Sequence, residues 1–368
     1  MRRELITLTL VLMSLAARPV AAHKKNVHFD HISIRDGLSQ AVVNAILQDH
    51  RGFMWFGTQE GLNRYDGYEF EVFTHDPSDP SSISHDSIRS LHEDKLGVLW
   101  IGTDGGGLNR FDTFSRTFTH FVHDPGNPQS VSGNRVRVIY EDRRGALWIG
   151  TEDGGLCRFE RDTETFSRFQ QDLNRPESLS DNRITAILED REGDLWVGTD
   201  GGGLNRLDDA QAKFAHYRND PDDPRSLSDD RVRSLYEDKE GQLWIGTYDG
   251  GLNRLDRKDQ SFHHYRHLSS DPTSLSSDRV RSISQDSKGI LWIGTDAGLN
   301  EWKPASESFE RYRNSPNESR SLRDDRVISI YQDRGGVLWV GTYAGLSKWN
   351  AVTEAFSLYQ RDSNGDSQ

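Results

Sequence analysis

The chain has very little cysteine. Cys157 is the single one in 368 residues, so an internal disulfide framework and a cysteine-based zinc site are both excluded. It has no excess of positive charge either. Lys and Arg number 45 against 58 Asp and Glu, for a net charge of −13. That argues against a nucleic-acid grip, because phosphate contacts need clustered cations. Past the N-terminal segment, no stretch is apolar enough to cross a bilayer, which takes about 20 residues. No 3.6-residue periodicity persists, so long helices are not expected. Apolar side chains make up only 34% of the chain, but aromatics make up 10%. The core is lean, yet the aromatic content is too high for a disordered chain.

The first residues read as an address. Arg2 and Arg3 precede an apolar run from Leu5 to Ala17, followed by Pro19, Val20, Ala21 and Ala22. This is the pattern of a secretory signal peptide over residues 1–22. An uncleaved N-terminal anchor is the alternative. Residues 23–368 would then form one exported, periplasmic domain with no membrane span. Cys157 lies within a repeated strand and is expected to be buried.

What the chain has in abundance is repetition. Tryptophan followed by an apolar residue, Gly and Thr occurs at Trp55, Trp100, Trp148, Trp196, Trp244, Trp292 and Trp339, spaced 45 to 48 residues apart. Four short segments recur around each anchor. In the fifth copy they are Val232–Asp238, Leu243–Thr247, Leu252–Asp256 and Phe262–Tyr265, separated by Gly, Asp, Asn and Lys, which form turns. Segments of this length suit strands. Four strands in a unit of this size predict an all-β fold: a seven-bladed β-propeller with four antiparallel strands per blade. A linear β-solenoid is the rival, although its repeats are usually much shorter. Each Trp is expected to fill a large part of the core. The Gly two residues later should admit a neighbouring segment at close range. An Asp ends every inner strand (Asp49, Asp94, Asp142, Asp190, Asp238, Asp286 and Asp333), three residues before a Gly, and is expected to hold a tight turn.

The block D-x-x-G-x-L-W-I-G-T followed by G-L-N-R resembles the two-component regulator propeller repeat. One copy reads Asp94-Lys95-Leu96-Gly97-Val98-Leu99-Trp100-Ile101-Gly102-Thr103, and a second runs from Asp190 to Thr199. The resemblance covers about residues 29–360. It implies an exported, ligand-sensing propeller that works with a membrane histidine kinase or diguanylate cyclase. Neither output domain is present in this sequence.

The outer F-x-x-[FY] strand ends at Phe73, Phe121, Phe169, Tyr217, Tyr265, Tyr312 and Tyr359, and Phe29-Asp30-His31-Ile32 looks like an eighth. One ring needs seven, so Phe29–Ile34 and Phe356–Tyr359 compete for the edge of blade 7. The N-terminal strand is favoured, because it ties the two chain ends together. The opposite assignment remains open.

Residues present in all seven copies cannot mark a single site, so functional candidates lie where the copies differ. On the Trp-to-Gly-Leu turns these are Asp104, Glu152, Asp200, Tyr248, Asp249, Asp296 and Tyr343. Before the inner strands they are Arg135, Arg183, Arg231, Arg279 and Arg326. Around a channel mouth, such groups suit an oligosaccharide or a charged small ligand, with Tyr stacking on a sugar and Asp and Arg hydrogen-bonding to it. Alternatively, the Arg and Asp side chains pair between blades. The turns are shorter in blades 1, 6 and 7, which predicts a low sector and a cleft over them. The Asp220-Pro221-Asp222-Asp223-Pro224 loop offers oxygen ligands for calcium but reads better as a solvated turn. His263, His264 and His267 read as surface residues, so no metal or cofactor is expected. No nucleophile–base pair or paired-acid arrangement stands out, so the expectation is a binding module and not an enzyme. An envelope protein-interaction scaffold is the alternative.

Overall fold

The computed structural model describes residues 27–350 apart from 209 and 211. The export signal expected at 1–22 and the competing strand at 356–359 lie outside the described residues. The described residues form twenty-eight strands and one short 3-10 turn. The strands make seven antiparallel four-stranded sheets, numbered here as blades 1 to 7 in chain order. This is a seven-bladed β-propeller.

Blades 1 to 6 are each built from four consecutive strands, and blade 7 is not. Its three strands Val327–Gln332, Leu338–Thr342 and Gly345–Trp349 are completed by the N-terminal strand Asp30–Ile32. That strand pairs Asp30 with Lys348, His31 with Ser347 and Ile32 with Leu346. Ile32 of this strand and Phe29 just before it are buried. The two chain ends therefore close the ring together, as favoured from the count of outer strands.

The core consists of seven clusters, each lying between blades. The seven repeated tryptophans are at most 5% exposed, and each packs into the blade that follows. Trp244 of blade 5 meets Leu275, Val280, Leu291, Ile293 and Trp302 of blade 6. Trp339 of blade 7 meets Val43 and Phe56 of blade 1. Burying a side chain of this size contributes about 2–3 kcal/mol. The Gly of the same strand has the expected role. A Cβ on Gly198 would stand 2.6 Å from Val232 Cγ1 of the next blade, and one on Gly246 would stand 2.5 Å from Val280 Cγ1.

The repeated Asp does more than hold a turn. In blade 4, Asp190 Oδ1 accepts the Glu192 and Asp194 N–H groups, both at 3.0 Å. Its Oδ2 accepts the Trp196 indole N–H at 2.7 Å. The Asp-to-indole bond recurs in every blade, at 2.7 to 3.1 Å. It gives each buried indole N–H a partner, which costs about 1–3 kcal/mol to leave out. Gly193 closes the same turn at φ 92°, where a side chain would be strained.

A polar belt ties the blades together on the Asp-turn face. The backbone N–H after each Asp reaches the side chain that ends the next inner strand. His50 reaches Glu93, Lys95 reaches Glu141, Arg143 reaches Glu189 and Arg191 reaches Glu237. Lys239 reaches Gln285, Ser287 reaches Gln332, and Arg334 reaches Gln48 to complete the circle. Two arginines clamp the belt further. Arg161 bridges Asp94 and Glu141, and Arg257 bridges Asp190 and Glu237.

Candidate ligand-binding site at the channel mouth

On the opposite face, a cavity of about 550 Å³ lies on the ring axis. All seven blades contribute to it, most of them through two recurring positions. The first position is a bulge. In every blade, the pairing between the inner strand and the Trp strand skips the inner strand's second residue. A bulge re-aims the side chain it carries. The skipped residues are Asn44, Arg89, Arg137, Thr185, Arg233, Arg281 and Ile328, and all seven line the cavity. The second position is the first residue of the turn after Thr. Gln59, Glu152, Asp200, Tyr248 and Tyr343 line the cavity from there.

The two rings are joined by ion pairs. Asp104 holds Arg89 at 2.5 Å, Glu152 holds Arg137 at 3.4 Å, and Asp200 holds Arg233 of the next blade at 3.1 Å. Asp296 pairs closely with Arg281. Burial alone would lower the pKa of Arg281, but the Asp296 carboxylate overrides burial and raises it. The two tyrosines carry guanidinium groups on their faces. Arg231, Arg233 and Arg279 sit 4.6, 4.7 and 4.8 Å from the Tyr248 ring centre. Arg326 sits 4.3 Å from that of Tyr343.

Of the candidates read from sequence, Glu152, Asp200, Tyr248, Tyr343 and Arg279 line the cavity, and Asp104 and Asp296 anchor arginines that do. Asp249 sits at the rim, bonded to Arg231 and Arg279. Arg135, Arg183 and Arg326 pair locally with Asp153, Asp181 and Asp324. Their guanidinium groups are about half exposed, so the pairs carry little energetic weight. The cavity is not confined to blades 6, 7 and 1, where the shorter turns predicted a cleft; residues of all seven blades line it. Sequence reasoning missed the bulge ring. Its signal was a position reading Asn, Arg, Arg, Thr, Arg, Arg and Ile within an otherwise repeated strand.

The other candidates have structural tasks. Asp220 and Asp223 accept the backbone N–H groups of Asp222 and Arg225. His263 is exposed. His264 and His267, expected at the surface, are half-buried instead. They hold two different inter-blade loops, His264 through the Ser226 carbonyl and His267 through the Leu275 carbonyl. Cys157 is buried, and burial raises its thiol pKa.

The profile of the two component regulator propeller repeat matches residues 37–60, 82–105, 130–153, 178–201, 226–249, 274–297 and 321–344, one segment per blade. The chain belongs to the two-component regulator propeller family. Among curated proteins, it is 38% identical over 82 residues to Histidine kinase P4 of Formosa agariphila. That match covers 22% of this chain and 6% of the kinase. Among solved structures, this regulator propeller is similar to the extracellular domain of a hybrid two-component system of B. thetaiotaomicron. The identity is 27% and the TM-score 0.76, over 88% of this chain and 42% of the other. The extracellular domain of a one-component system from the same organism shares the fold, at 23% identity and TM-score 0.68, with the same coverage of both chains. The chain thus spans less than half the length of these relatives. No helix among the described residues is long and apolar enough to cross a membrane.

Proposed function

We propose that this propeller is the exported, ligand-binding sensor of an envelope signalling system, and that an oligosaccharide or other small polar ligand enters the axial cavity. The carrying observation is that the cavity is built mainly from two positions that vary from blade to blade, one on the bulge and one on the turn. The core, the Asp turns and the belt repeat around the ring, whereas the cavity wall changes from blade to blade. Its volume lies in the range of small-molecule sites, and it combines aromatic faces with convergent polar groups. The signal would pass to a membrane histidine kinase or diguanylate cyclase partner, in keeping with the two-component relatives. The role assigned here is binding, with no catalytic step.

The test is a calorimetric screen against oligosaccharides, repeated with Tyr343→Ala. Affinity should fall while thermal stability stays unchanged. Unaltered affinity in Tyr343→Ala would remove the cavity from consideration. The scaffold reading draws on exposed apolar residues at the opposite face of blades 1 and 2. There Tyr68, Leu96 and Phe114 are 91%, 75% and 97% exposed. A pulldown from envelope extract with and without Phe114→Ser tests that reading.

A further inference from the structure

The charges in the cavity are not evenly matched. Its lining carries five guanidinium groups, from Arg89, Arg137, Arg233, Arg279 and Arg281, against the two carboxylates of Glu152 and Asp200. Arg89 and Arg281 are closely held by Asp104 and Asp296. The wall made by blades 3, 4 and 5 differs. Arg137 has its carboxylate partner at 3.4 Å, the loosest of the four pairs. Blade 4 carries Thr185 where an arginine stands in blades 3 and 5, so Asp200 turns to Arg233 of the neighbouring blade. Arg233 Nε and the facing Asp200 Oδ1 are both buried with no hydrogen-bond partner, so the pair is close in charge but not closed by a hydrogen bond. The Thr185 hydroxyl lies between these two arginines in ring order and donates to the Val232 carbonyl at 2.6 Å. Tyr248 lies against Arg233 at 4.7 Å and so restrains its guanidinium plane.

Taking the axial cavity as the binding site, an inference that rests on the function proposed above, we propose that the ligand is anionic and that its oxyanion group seats between Arg137 and Arg233 over Thr185. A guanidinium fork matches the two oxygens of a carboxylate, sulfate or phosphate, and charge-assisted bonds of this kind are the strong ones. Arg233 Nε would gain the acceptor it lacks. Arg137 would gain a counter-charge beyond Glu152 and Asp200. Burial lowers the Arg137 pKa and the positive charges of Arg233 and Arg89 add to that, while Glu152 and Asp200 oppose it; an added anion would join them in compensating the buried charge. The whole protein carries a charge of −13, so this selectivity comes from the local wall and not from long-range attraction. Galacturonate-type sugars and inorganic oxyanions share the chemistry of the seat, and the experiment separates them.

The experiment is calorimetry at fixed ionic strength. The probes are galacturonate and digalacturonate, their uncharged counterparts galactose and digalactose, and inorganic sulfate and phosphate. The acid sugars should bind at least about tenfold more tightly than the neutral ones, a difference set by one good charge-assisted contact. Arg137→Gln and Arg233→Gln should each remove that preference. Binding of sulfate or phosphate without any sugar binding supports the seat and assigns it to a free inorganic oxyanion. Equal affinity for charged and neutral sugars, lost in Tyr343→Ala and kept in Arg137→Gln, overturns the anion proposal and leaves the binding site standing. No binding by any probe overturns both. The comparison of charged and neutral sugars on the unaltered protein holds even where a variant folds poorly.

Discussion

Replacing Asp190 with Ala probes the contact that repeats around the whole ring. Asp190 is fully buried and accepts the Trp196 indole and two turn N–H groups. Arg257 adds an ion pair at 2.8 Å. Trp196 is 1% exposed, so its orphaned N–H reaches no water and costs about 2 kcal/mol. The two turn N–H groups lie near solvent and lose about 1 kcal/mol each. Arg257 keeps Glu237 at 3.1 Å and loses little. The expected penalty is about 4 kcal/mol, a drop in Tm on the order of 5 °C for a ring of this size. Urea titration followed by tryptophan fluorescence reads it. Asp222→Ala, at an exposed turn, is the control and should cost less than about 0.5 kcal/mol. Equal midpoints for Asp190→Ala and Asp222→Ala would refute the reasoning.

The same site fixes a pH dependence. Burial alone would raise the Asp190 carboxyl pKa, but the Trp196 indole, Arg257 and the Asp194 N–H together hold it below the usual carboxylate range. Asp94, with Trp100 and Arg161, is shifted the same way. The stabilisation is therefore complete above the unfolded pKa of about 4 and is lost as pH falls through the lower folded value. The gap between the unaltered protein and Asp190→Ala should narrow in acid below about pH 4. A gap that stays constant from neutral pH to strong acid would contradict the charged bond.

Gly198→Ala places a Cβ 2.6 Å from Val232 Cγ1 and should cost about 1–3 kcal/mol through overpacking between blades. A neutral result in thermal unfolding would show that the blades have more room than the packing implies. Cys157 stands where five other blades carry a buried Asn that accepts a loop N–H. Its sulfur takes the Ser132 N–H at 3.2 Å. Cys157→Asn should restore the common bond and stabilise by about 1 kcal/mol, so a clear loss in Tm would count against that equivalence.

Most of the fold was legible because it repeats. The Trp spacing exposed the blade, the Gly after it exposed the close approach, and the surplus of outer strands pointed to the closing strand at Asp30–Ile32. The turn half of the cavity was legible too, since Tyr248, Tyr343 and Glu152 break a position that reads Asp in blades 2, 4 and 6. Arg89, Arg137, Arg233 and Arg281 were not. In a regular strand, alternation would send the second residue to one face of the blade. Only the bulge, a matter of register, turns it to the axis. The belt from Gln48 to Gln332 was hidden for a different reason. Its bonds run from backbone to the next blade's side chain, and sequence spacing carries no trace of which N–H a glutamate will meet.

Where a ligand sits is the most direct question to ask of this propeller. A crystal structure with the tightest-binding probe of the saccharide and anion panel should show it on the ring axis, in contact with Arg137, Arg233 and Tyr248. Density confined to the outer grooves or to the Asp-turn face, with the axial cavity filled only by solvent, would contradict a sensing site at the channel mouth.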